Sequence, residues 1–145
     1  MPTSSAWRWT GRSFAFNVKF VASTFEEVCC AWILKQVQKG ELPFAPDNVS
    51  THWSRDVQVD VVAIAWQEKQ VLLGKCKWGD RPVSRAVVTE LVERKTPKVL
   101  RGLPDRGEGW TVHYVLFGRF DFSNAARSKA AQVGARLLNL KQLQV

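Results

Sequence analysis

The stretch "LLGKCKW", Leu72 to Trp78, places two lysines at alternate positions of an apolar run. Residues i and i+2 of a strand point to one face, so Lys75 and Lys77 stand side by side, and two like charges there call for a partner. The preceding run, "VDVVAIAW", inserts a carboxylate, Asp60, into a mostly apolar strand. A hairpin joining the two runs brings a carboxylate and a charged pair to one sheet edge. Phosphodiester hydrolysis by a metal ion needs that arrangement. Carboxylates hold Mg²⁺ through oxygen ligands, the ion polarises the phosphate and helps make a nucleophile from water, and a lysine orients that water and offsets the developing negative charge. A first-helix glutamate, Glu26, can reach the same ion or anchor a water bound to it. The plainer alternative is an ion pair between Asp60 and Lys75 or Lys77, with Lys77 a solvated edge residue and Glu26 simply suited to a helix N-terminus.

The elements that must position these groups are legible in outline. A helix is expected over "STFEEVCCAWILKQVQKG", with Ser23 or Thr24 as N-cap, Glu26 and Glu27 in its first turn and Gly40 at its end. His52 and Trp53 suit a short strand. Val57 to Trp66 reads as a strong strand without breakers, followed by a reversal at "QEKQ" and a second strand over Val71 to Trp78. Ser84 to about Lys95 reads as a helix, "TPKVLRGLPDRGEG" as a basic loop and "WTVHYVLFGRF" as a central strand. A last helix runs from its N-cap Ser123 to Gly134, before the strand "ARLLNL" and the tail "KQLQV". The order α-β-β-β-α-β-α-β implies an α/β fold with a central mixed sheet flanked by helices.

Composition bounds the chemistry. At 145 residues and 46% apolar, the chain suits one cooperative core. Twenty-one basic against thirteen acidic residues leave a net charge of +8, which favours a polyanionic partner over a neutral one. No run approaches the roughly 20 apolar residues that span a bilayer. The first residues lack a signal-peptide core, and Cys29, Cys30 and Cys76 lack metal-ligand spacing. A cytoplasmic protein with reduced thiols and no membrane partner is expected. His52 and His113 likewise lack metal-like spacing. Residues 1–20 alternate aromatic and basic side chains, a segment suited to packing on the core or on another chain, while 21–145 forms the folded domain. Lys95, Lys98, Arg101 and Arg106 offer a basic loop for phosphate contact. Trp53 and Trp78 are capable of stacking on exposed bases, although strand-end tryptophans also cap cores.

The order Glu26, Asp60, Cys76-Lys77 in this succession of elements resembles the PD-(D/E)XK nuclease superfamily, with its restriction-endonuclease-like core. More narrowly, it resembles the nuclease-like domain found C-terminal to the ATPase module of archaeal-type AAA ATPases. The matching pieces are "FEEVCCAWI", "LPF", "THW", "VDVVAI", "LLGKCKW", "RPVSRAVVTELVERK" and "YVLFGRFDFS", covering most of the chain from about Phe20 to Leu140. The resemblance implies that Asp60 is the main metal carboxylate, Lys77 the catalytic lysine and Glu26 the helix glutamate, with Mg²⁺ or Mn²⁺ as cofactor. One position departs. Where the family's pattern carries a glutamate, "GECKW", this chain has Lys75.

Three functions follow as expectations. The first is a DNA-binding relative of Mg²⁺-dependent endonucleases, with cleavage impaired or lost through Lys75. The second is an active endonuclease that recruits Asp56, Glu68 or Glu90 as a substitute acid. The third is an assembly domain that binds copies of itself, as in a homodimer, or an ATPase partner.

Overall fold

The computed structural model describes residues 21–51, Ser54 and 57–143. The aromatic and basic segment 1–20, the expected strand at His52 and Trp53, and Asp56 lie outside the described residues.

Helix α1 (Val21–Lys39) leads to β1 (Asn48–Ser50), β2 (Val61–Ala65) and β3 (Gln70–Lys77). A second helical run follows, made of α2 (Arg85–Thr89), a wide turn (Glu90–Lys95) and α3 (Thr96–Arg101), then a 3₁₀ turn (Pro104–Gly107). Strand β4 (Thr111–Gly118), helix α4 (Asn124–Val133), β5 (Arg136–Asn139) and a final 3₁₀ turn (Leu140–Leu143) complete the order. Among the described residues five strands form one sheet in the order β1-β2-β3-β4-β5. The first two pairings are antiparallel and the last two parallel, so the fold is α/β with a mixed sheet, as the order of elements implied.

The period-2 alternation of the strands sorts side chains into two cores. Val61, Ala63, Leu72, Cys76, Val115 and Phe117 face α1 with its Phe25, Cys29, Trp32 and Ile33. Val62, Ile64, Val71, Leu73 and Leu116 face the opposite layer, packed by Val88, Leu91, Val99, Phe122 and Ala126. Along β3 the second face reads Val71, Leu73, Lys75, Lys77. It is apolar for the first half of the strand and cationic for the second.

The described structure departs from the sequence expectations in three places. Helix already runs from Val21 through the expected N-cap positions 23 and 24, and Glu26 and Glu27 therefore lie beyond its first turn. The strand expected over Val57 to Trp66 is regular only from Val61, because the chain bends at Asp60. The segment holding Lys95, Lys98 and Arg101 is helical. Proline inside a helix lacks an N–H and clashes with the carbonyl four residues back. Here the wide turn resolves the conflict: the Thr96 N–H and its hydroxyl, at 2.8 Å, both donate to the Leu91 carbonyl five residues earlier. Helix then restarts with Pro97 in the first turn, where proline is tolerated.

The C-terminal elements follow their sequence signals. Ser123 caps α4 by accepting from the Ala126 N–H at 3.0 Å, and Gly134 ends the helix with a left-handed φ of 71°. Residues 119–122 are fastened to Val83: the Val83 N–H donates to Asp121 O and the Ser123 N–H to Val83 O, each at 2.9 Å. Gly118 makes this approach possible, since a Cβ there would stand 2.8 Å from Val83 Cγ2. Gly118→Ala is accordingly expected to cost about 1–3 kcal/mol through overpacking. Urea unfolding checks this, and a midpoint equal to that of the parent would contradict the tight approach.

Candidate functional site

Extending the β2–β3 register past its last pair, Val61 with Gly74, would set residue 59 opposite Cys76. The bend at Asp60 takes the backbone out of that ladder, and the buried Cys76 N–H needs another acceptor. Asp60 supplies it with its side chain, Oδ2 accepting from Cys76 N at 2.8 Å. The carboxylate thus stands in for a missing strand partner, and it is held at 8% exposure.

The same oxygen meets Lys75. Nζ lies 3.4 Å from Asp60 Oδ2, with Lys75 about one-third exposed, at 32%. A desolvated carboxylate needs hydrogen bonds and a counter-charge, and Asp60 receives both from adjacent residues of β3. Of the two expected ion pairs, the structure makes the one with Lys75.

Glu26 on α1 reaches the same neighbourhood. Partial loss of water around its carboxyl raises its pKa, the Asp60 charge raises it further, and Lys75 pulls the other way. A carboxyl whose folded pKa is raised contributes stability below its unfolded pKa and loses that contribution as pH rises through the folded value. Glu26 therefore opposes the fold in its charged form. The structure brings Glu26, Asp60 and Lys75 together around one charge cluster.

Lys77 points along the same face as Lys75 but is exposed, and no ion pair engages it among the described residues. Both lysines line a cleft of about 300 Å³ between the cationic half of β3 and the helical run that covers it. Val59, Ala86, Val87 and Leu91 give the cleft apolar walls, and Gln58, Glu90 and Lys95 add polar groups. Lys95 is tied across the cleft by a 2.6 Å bond from Nζ to the Gln58 carbonyl. Of the expected phosphate-contacting residues, Lys77 and Lys95 share the cleft. Lys98 and Arg101 are exposed on α3 and Arg106 is exposed in the 3₁₀ turn, none of them lining it. Among the suggested substitute acids, Glu90 lines the cleft and stands 3.9 Å from Arg94, whereas Glu68 lies in the turn at the opposite end of β3.

Behind the cleft, the other face of β3 turns Cys76 into the α1 core beside Cys29, and burial pushes the Cys29 thiol far up from its ordinary pKa. The three cysteines are free and buried, consistent with small core side chains and unsuited to nucleophilic chemistry. His113 Nε2 donates to Gln70 Oε1 at 2.8 Å, and its ring stacks on Phe44. Partial burial lowers its pKa.

Trp78 packs against Phe25 at 5.0 Å between ring centroids, and Arg119 lies over it at 4.5 Å. Arg119 also lies 4.8 Å from the centroid of Phe120. This pair at the end of β4 was not apparent as a functional feature of the sequence. Its signal was "GRF", a cation and an aromatic ring directly after a strand-ending glycine.

Among the described residues no group of three or more His, Cys, Asp and Glu stands where a metal ion could be held. No described helix is long and apolar enough to cross a membrane. A family described as archaeal and bacterial proteins of unknown function matches residues 12–95, a span that takes in Glu26, Asp60, Lys75, Lys77 and Lys95. No curated protein matches the chain. One solved structure, of the protein of unknown function AF1548, matches with a TM-score of 0.41 at 19% identity over 74% of this chain. The chain spans 55% of the length of that protein.

Proposed function

The chain belongs to the DUF234 family of archaeal and bacterial proteins, and we propose that it is a nucleic-acid-binding domain of nuclease ancestry whose metal site has been closed by Lys75. The observation that carries this reading is the 3.4 Å pairing of Lys75 Nζ with Asp60 Oδ2. In the PD-(D/E)XK pattern that the sequence resembles, position 75 is an oxygen ligand. A charged lysine there offers no lone pair, and with the Cys76 N–H it occupies Oδ2 of the Asp60 carboxylate. An ammonium paired with the main carboxylate does not fit Mg²⁺, which seeks oxygen ligands in near-octahedral geometry. What remains is a surface suited to anions: Lys77, without an ion pair among the described residues, Lys95 in the same cleft, and a net charge of +8 over the chain. Phosphate contacts of this kind are sequence-independent and salt-dependent.

Fluorescence anisotropy on a labelled duplex across a salt series tests the proposal. Binding is expected to weaken steeply between low and moderate salt. Lys77→Ala and Lys95→Ala should each weaken it and reduce the slope of log K against log salt by about 1. A flat salt response in the parent protein, or no binding to nucleic acid at all, would overturn the reading.

The position of Glu90 in the same cleft favours one second reading, an active endonuclease using Glu90 as a substitute acid. Plasmid incubated with Mg²⁺ or Mn²⁺ separates the two. Intact plasmid supports the closed site, and nicking that disappears in Glu90→Gln supports the alternative.

A further inference from the structure

Beyond the phosphate contacts of the lysine cleft, we propose that Phe120, braced by Arg119, is a stacking platform for an unpaired base, so that the preferred ligand is single-stranded nucleic acid. The inference rests on the nucleic-acid reading above and specifies its substrate class.

Phe120 is 48% exposed, one of three large hydrophobic side chains left in solvent among the described residues. Isolated exposed rings are ordinary on protein surfaces, but a guanidinium that also covers Trp78 lies against this one. Arg119 lies over both Trp78 and Phe120, and Trp78 rests on the buried Phe25. From the core outward, Phe25 meets the tilted Trp78 ring, and the Arg119 guanidinium lies over both Trp78 and the exposed Phe120. Arg119 makes no ion pair among the described residues, so its charge is not neutralised by a carboxylate. Asp121, the acid nearest to Arg119 in sequence, pairs with Arg127, and Asp80, two residues after Trp78, is exposed.

The platform is also held in place. The backbone N–H of Arg119 donates to Lys77 O at 3.1 Å, and the bonds between Val83 and residues 121 and 123 fasten the chain just beyond Phe120. A ring presented by a fixed backbone loses little conformational freedom when a ligand stacks on it. The hydrogen bond from Arg119 to Lys77 joins the platform directly to the cationic half of β3. The platform therefore combines an exposed aromatic ring, a cation without an ion pair among the described residues and a backbone link to the strand that carries Lys75 and Lys77. Single-strand binding proteins use that combination: bases stack while cations follow the backbone. A duplex keeps its base faces covered and can use only the lysines. Trp78 itself, whose ring is engaged by Phe25 and Arg119, serves as the support and not as the contact surface.

Anisotropy with labelled oligo-dT, oligo-U, a duplex and an abasic strand of equal length tests the platform. The parent protein is expected to bind oligo-dT and oligo-U more tightly than the duplex or the abasic strand. Phe120→Ala should lose roughly tenfold in affinity for the base-bearing strands and leave the abasic strand unchanged. Phe120→Tyr, which keeps the ring, should retain parent affinity. An unchanged thermal midpoint for both variants shows that the fold is intact. Loss on only one of the two base-bearing strands supports the platform and assigns it to DNA or to RNA. Salt-dependent binding that is indifferent to Phe120→Ala, or equal affinity for oligo-dT and the abasic strand, overturns the platform and leaves the lysine cleft standing. Failure of the parent protein to bind any strand overturns both.

Discussion

Lys75→Glu is expected to make the protein less stable without divalent cations and more stable with them, whereas the parent ignores them. The substitution replaces the counter-charge 3.4 Å from Asp60 with a like charge, in a cluster that already contains Glu26. At an effective dielectric near 20, unit charges about 4 Å apart interact by about 4 kcal/mol. Position 75 is partly open to solvent, so a net loss of about 2–3 kcal/mol is the better expectation. With Mn²⁺ at one hundred times its dissociation constant, binding to the folded state returns about 2.7 kcal/mol. Thermal unfolding in chelator and in Mn²⁺ measures both arms. The variant should lose several degrees in chelator and recover most of them in the metal, with no shift in the parent. A parent midpoint that rises with Mn²⁺ as much as the variant's would mean that Lys75 does not close the site. Gain of plasmid nicking by the variant would further show that one charge is the lesion.

Asp60→Ala is the second large effect, and its main cause is structural. The carboxylate satisfies a buried backbone donor that the shortened β2 strand cannot reach, and an unsatisfied buried group costs about 1–3 kcal/mol. Lys75, being partly exposed, can turn to water once its partner is gone, so the total should stay near 2–3 kcal/mol. Asp60→Asn retains an acceptor for the Cys76 N–H and should lose about half as much. A double-mutant cycle with Lys75→Met then isolates the ion pair, where a coupling of about 0.5–3 kcal/mol is expected. If Asp60→Ala unfolds within 0.5 kcal/mol of the parent by urea titration, a flag of about the surface-substitution range, the carboxylate is not the strand substitute described above.

Alternation and breakers make the sheet legible in the sequence. The hairpin from Val61 to Lys77, the shared face of Lys75 and Lys77, the inward Cys76 and the α4 caps at Ser123 and Gly134 are local features with short-range causes. The misreadings also had identifiable causes. Val57 to Trp66 has no breaker, so nothing in its composition marks the bend at Asp60. That bend depends on a side chain meeting a backbone group sixteen residues away. Pro97 looked like the end of a helix because it usually is one, and the wide turn that accommodates it leaves only a subtle trace. The pairing of Lys75 with Asp60 was one of the partnerships the sequence allowed, and only the register of the hairpin chose between the lysines. Arg119 and Phe120 come together with Trp78 through the parallel pairing of β3 and β4, a non-local contact that no window of sequence contains.

The wide turn at Glu90–Lys95 has one more consequence, a matter of phase. An unbroken helix that buries Val88 and Leu91 would bring position 95 round to the same stripe, seven residues after Val88, and bury Val99 next. In the structure Thr96 is buried in place of residue 95, and the step from Leu91 to the next buried position is five residues. The extra residue delays the rotation by about 100°, which carries Lys95 off the core-facing stripe and over the cleft. The third lysine of the cleft thus owes its position to a slip in helical arithmetic, and the proline beside it gives the helix a reason to make that slip there.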